Sequence, residues 1–160
     1  MKKIYLAISL VISGIISSYA PYLLAGVIFG VTIGIYIKLT EKTSPIKIIF
    51  WILMSWFAYS LAYFTAFFLF NIISIIAFIC AGIVGSAILA FSTSQLVKKM
   101  SIKEIFIIIV VGSISGIAFI LSLFMKEPNL VLGFVIWQLA VGFSLTYLVS
   151  ENKQSILQTE

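Results

Sequence analysis

The sequence predicts an all-α integral membrane protein: a compact bundle of six transmembrane helices with both termini in the cytoplasm. Three observations carry this prediction. Of the 160 residues, 62% are hydrophobic and 9% charged, whereas a soluble domain is about 25% charged. The charged side chains are all Lys or Glu, gathered in five clusters at Lys2-Lys3, Lys38 to Lys47, Lys98 to Glu104, Lys126-Glu127 and Glu151 to Glu160. Between them lie charge-free runs at 4–37, 48–97, 105–125 and 128–150, each long enough for a span of roughly 20 apolar residues.

The first run is too long for one span. Its break is Ser17-Ser18-Tyr19-Ala20-Pro21, because proline is excluded from a helix interior but suits the first turn. This gives helices at about 3–18 and 21–38. The second run would reach roughly 75 Å as one helix, so it folds back. Asn71 offers the turn, as a polar residue and good N-cap, and the helices become about 46–69 and 72–97. The last two runs make one helix each, at about 103–125 and 129–150. Residues 1–150 thus form one transmembrane domain, and 151–160 a short polar tail, a frayed helix end or disordered.

Lysine placement sets the orientation. With six spans and the N-terminus inside, Lys2, Lys3, Lys38, Lys42, Lys47, Lys98, Lys99, Lys103 and Lys153 are cytoplasmic and only Lys126 is outside. One long span over 4–37 would move Lys2 and Lys3 outside and weaken the bias. Lys2-Lys3, an apolar stretch and Ser18-Tyr19-Ala20 also fit a cleavable signal. Pro21 directly after the cut, and another span after that, argue against cleavage. The expected location is the plasma membrane, where cytoplasmic lysines meet anionic headgroups. Abundant Ile, Phe and Lys without Arg suit an AT-rich prokaryotic genome.

The missing residues exclude chemistry. The chain has no His, Asp or Arg, one Cys (Cys80), and no Glu within a predicted span. Metal sites need His, Cys or carboxylate clusters, and haem most often uses His, so no metal or cofactor is expected. Serines lack a base to activate them; Ser101 beside Lys98 or Lys103 reads as a helix start. Proton relays across a bilayer use intramembrane Asp, Glu or His. No basic run exceeds two residues, which disfavours nucleic acid. The chain is therefore expected to be neither an enzyme nor a proton-coupled pump.

Two sets of residues carry specificity. Gly26, Gly30 and Gly34 form a small-x-x-x-small stripe on the second predicted helix, and Gly82, Ser86, Gly112 and Gly116 continue the theme on the fourth and fifth. Such stripes let helix backbones approach closely, either within the bundle or toward a partner subunit or second copy. Trp56, Tyr59, Tyr63, Trp137 and Gln138 lie near mid-depth. A glutamine there needs a partner inside the bundle, and Gln138 and Tyr59 are placed to meet. The set is either a structural hydrogen bond or the lining of a pocket for a neutral, flat or amphipathic ligand. Tyr5, Tyr19, Tyr22, Tyr36, Trp51 and Tyr147 fall near span ends and read as interfacial anchors.

Size and span count are similar to those of the substrate-binding subunits of energy-coupling-factor transporters. Those proteins typically dock through an Ala-x-x-x-Ala face on their first helix. Here that helix offers only Gly14-x-x-x-Ser18, and no family is assigned. The expected function is a small non-enzymatic membrane component, of transport type, that binds or passes a neutral small molecule or lipid. The alternative is an accessory subunit acting through helix–helix association in a larger membrane complex.

Overall fold

The computed structural model describes residues 2–41, 43–124 and 130–157, with side chains at all of these except 2, 22, 23 and 150–157. The described residues form seven helical segments and no strand: α1 (Lys2–Tyr19), α2 (Tyr22–Thr40), α3 (Pro45–Ile73), α4 (Ile76–Leu96), α5 (Ile102–Ser115), α6 (Ile117–Leu123) and α7 (Val131–Leu157). Four stretches are long and apolar enough to cross a membrane: Pro45–Ile73, Ile76–Leu96, Ile102–Leu123 and Val131–Val149. α1 and α2 contribute shorter apolar helices.

Helix starts follow local chemistry. Pro45 occupies the first position of α3, and Ser44 accepts a hydrogen bond from the Lys47 N–H. At α5, Ser101 and Glu104 form a capping box: the Ser101 N–H donates to Glu104 Oε2 at 2.6 Å, and the Glu104 N–H donates to Ser101 Oγ at 3.3 Å. This arrangement satisfies two donors that a helix start leaves unpaired.

Three places differ from the sequence expectation. Asn71 does not open a new helix; α3 runs through it to Ile73, and the chain reverses at Ser74, whose φ is 50°. The apolar stretch around Asn71 keeps the helix going until the Ser74 N–H closes on the Phe70 carbonyl. The predicted fifth helix is interrupted at Gly116, between α5 and α6. There the Gly116 N–H reaches the carbonyls of both Gly112 and Ser113, a tightened turn of 3₁₀ type. The sixth predicted helix, α7, continues past Ser150 to Leu157. The Lys126-Glu127 turn and residues 158–160 lie outside the described residues.

The helices stand in a ring in chain order, each antiparallel to the next except that α6 continues α5, and α7 closes the ring against α1, α5 and α6. The antiparallel sense is visible in the contacts: Gly26 meets Ser55 and Tyr59 while Gly34 meets Ile48, and Gly82 meets Gly112 while Gly116 meets Phe78. Phe29, Ile33, Trp51, Leu89, Ile108, Gln138, Val141 and Leu145 are fully buried at the centre. Trp51 is therefore not an interfacial anchor: its indole N–H donates to Thr93 Oγ1 at 2.9 Å, fastening α3 to α4. At the lysine-bearing end, the Lys98 ammonium donates to the Val149 carbonyl at 2.9 Å.

The close seams predict graded effects of added methyl groups. A Cβ on Gly26 would fall 2.7 Å from the Ser55 carbonyl oxygen, which is backbone and cannot yield. At Gly34 the nearest atom is the Ile48 Cγ2 methyl, a side-chain atom, at 3.1 Å. Gly26→Ala should cost about 1–3 kcal/mol by overpacking, and Gly34→Ala far less. Thermal denaturation in detergent of the two variants beside the parent checks this; equal melting temperatures would contradict it.

Candidate functional site

The middle of the bundle is built from aromatic rings. Phe29 of α2 lies with its ring centroid 6.4 Å from Trp51, 5.6 Å from Tyr59 and 5.9 Å from Trp137. Tyr59 of α3 and Trp137 of α7 meet edge to face at 5.0 Å, a favoured geometry for aromatic pairs. Beneath them Gln138 is completely buried and donates through Nε2 to Ser17 Oγ at 2.9 Å, joining α7 to α1. Tyr59 Oη and Gln138 Oε1 are both buried, and neither completes a hydrogen bond among the described residues.

Above this aromatic floor, away from the lysine-bearing end, lies a cavity of about 430 Å³. Tyr59, Ala62, Tyr63, Ala66, Phe67, Phe70 and Asn71 form its α3 wall, and Phe78, Ala81 and Gly82 its α4 wall. Gly116, Phe119 and Leu123 close a third side, and Leu130, Phe134 and Trp137 a fourth. No described lining residue is charged. The rings of Phe70, Phe78, Phe119 and Phe134 form a continuous chain along it, with successive centroids 5.9, 6.3 and 5.2 Å apart. Concave sites of this size, with aromatic walls and few polar groups, are typical of small-molecule pockets.

The sequence-predicted set divides. Tyr59, Tyr63 and Trp137 line the cavity; Gln138 lies behind the floor, and Trp56 faces outward, 43% exposed. The two residues diverge because α3 turns Trp56 away from the ring on which Tyr59 sits. The phenylalanines that make most of the wall (Phe67, Phe70, Phe78, Phe119 and Phe134) were not singled out from sequence. In a chain with 14 Phe, nothing local distinguishes a cavity wall from a lipid-facing side chain. Only the fold brings them together.

The glycines sit at seams within the bundle. Gly26, Gly30 and Gly34 all face α3, around Ile48, Ile52, Ser55 and Tyr59. The Ser55 hydroxyl donates to the Gly26 carbonyl at 2.8 Å, a contact that requires backbones this close. Gly82 and Ser86 of α4 abut Gly112, and Gly116 abuts the Phe78 carbonyl. Among the described residues no group of three or more His, Cys, Asp or Glu is placed to hold a metal.

The chain matches no protein-family model. No curated protein matches it, and no solved structure does.

The half-satisfied pair gives opposite expectations for two small substitutions. Tyr59→Phe removes a buried hydroxyl that completes no bond, so it should leave stability unchanged or slightly raised. Gln138→Leu removes the bond to Ser17 and should cost about 0.6–1.7 kcal/mol, the range for interhelical bonds in membranes. Unfolding measurements on both variants decide; a larger loss for Tyr59→Phe than for Gln138→Leu would overturn the assignment.

Proposed function

We propose that this chain is a non-enzymatic membrane protein that crosses the bilayer six times and binds an apolar or neutral amphipathic molecule in the aromatic cavity. The cavity itself carries the reading: about 430 Å³ of uncharged, ring-lined space within the bundle. Its floor is packed. Below Tyr59 and Trp137, the fully buried Phe29, Gln138, Trp51, Ile33 and Val141 fill the centre, so the space does not continue toward the lysine-bearing end. That favours binding over passage through a continuous pore. The absence of His, Asp and Arg from the chain supports a role without acid–base or metal chemistry.

The partner-docking alternative loses its main support, since the α2 glycine stripe is already filled by α3. Both termini are proposed to be cytoplasmic, from the lysines that bracket one end of the ring. Lys3→Cys in a Cys80→Ser background should react with a membrane-impermeant maleimide only after cells are permeabilised. Labelling of intact cells would reverse the orientation.

Native mass spectrometry after mild extraction from the protein's own membrane tests the binding. The parent protein should carry a co-purified apolar adduct. Ala66→Trp, which places an indole in the cavity, should remove that adduct while the protein stays folded. A parent without adduct, or a variant that keeps it, would sink the proposal.

A further inference from the structure

The shape of the cavity narrows the ligand class, on the assumption that the binding proposal above holds. The cavity follows α3 from Tyr59 to Asn71, twelve residues or about 18 Å along a helix. A volume of about 430 Å³ over that length leaves a mean cross-section of about 24 Å². With carbon atoms in contact near 4 Å, one extended hydrocarbon chain needs on the order of 20 Å². The space is therefore long enough and wide enough for one extended chain.

Its two ends differ. The inner end is the edge-to-face Tyr59–Trp137 pair, whose hydroxyl oxygen is buried. The outer end carries Asn71, an exposed carboxamide and the only side-chain amide among the described lining residues.

One flank is open, for a reason of length. Gly26 packs at the level of Tyr59, and α2 begins only one turn beyond Gly26, at Tyr22. In the antiparallel register this brings the end of α2 level with about Tyr63. α3 continues to Ile73, about 15 Å farther. No described residue of α1 or α2 lines the cavity, and among the described residues the α3 backbone does not approach those of α6 or α7, α7 being reached through side chains at the Tyr59–Trp137 pair. Along that stretch the lining residues Phe67 and Phe70 are 58% and 43% exposed. In a bilayer this flank faces hydrocarbon, not water.

We infer that the cavity takes the single hydrocarbon chain of an amphiphile drawn from the surrounding bilayer, tail toward Trp137 and polar head at Asn71. Bromine quenches tryptophan fluorescence on contact, so its position along a chain reports orientation. The experiment uses the full chain with Trp56→Phe, reconstituted in nanodiscs, with a Trp137→Phe control to isolate the Trp137 signal. The probes are tetradecanol brominated at its last carbon and tetradecanol brominated beside the hydroxyl.

The terminal bromine should quench Trp137 several-fold more than the bromine near the hydroxyl, and Ala66→Trp should abolish the difference. Asn71→Leu should weaken binding about fivefold, the loss of one net hydrogen bond. Stronger quenching by the bromine near the hydroxyl would overturn the inferred orientation while leaving the binding proposal standing. Unchanged affinity in Asn71→Leu would overturn the placement of the head. Equal quenching by both probes, unaffected by Ala66→Trp, or no quenching by either, would overturn the binding proposal itself.

Discussion

The bundle depends on how closely its helices approach one another. In hydrocarbon there is no hydrophobic force between helices, because lipid tails are as apolar as leucine; association rests on van der Waals contact and on hydrogen bonds that lipid cannot offer. This chain supplies both at the same positions. Gly26 and Gly30 let α2 settle on α3 closely enough for the Ser55 hydroxyl to reach the Gly26 carbonyl. Gly82 and Gly112 bring α4 and α5 into backbone contact. Gly14 does the same between α1 and α7, against Val135, near the Gln138–Ser17 bond. Each seam is a place where any larger side chain forces two backbones apart.

The tight seams and the cavity are related. α2 to α3 and α4 to α5 are joined over much of their lengths, whereas the outer halves of α3 and α7 are separated by large rings. Phe119 of α6 and Phe134 of α7, in edge-to-face contact, place two large rings along the cavity. Gly133 partly offsets this by seating the Phe119 ring, and its N–H donates to Ser122 Oγ at 3.0 Å. The bundle is thus closed by small residues at its seams and held open by aromatic ones around the cavity.

Much of the architecture was legible in the sequence because charge and glycine are explicit signals. The lysine clusters place the ends of α2, α3, α4 and α5 within a few residues, and the stripe at 26, 30 and 34 marks a helix face wherever its partner lies. The turn at Ser74 was not legible. A positive φ at a serine leaves no compositional trace, and Asn71 was the more conspicuous polar residue. Trp51 misled for a related reason: its position near a span end resembles an anchor, and only the location of Thr93 on α4 shows that its indole points inward. The cavity was half legible. Tyr59, Tyr63 and Trp137 stood out as polar aromatics at depth, but the phenylalanines that give it shape looked like any other apolar side chains.

The unequal lengths of neighbouring helices have a consequence for the membrane itself. α2, with 19 residues, measures about 28 Å, close to the roughly 30 Å of a hydrocarbon core. α3, with 29 residues, measures about 43 Å and presents Phe64, Phe67, Phe68 and Ile72 outward near its far end. A bilayer of uniform thickness cannot match both at once. It must thicken on one side of the protein, or the protein must lean until the long helix is accommodated. Either response falls on the α3 side of the ring, where the helix runs past the end of α2 beside the cavity.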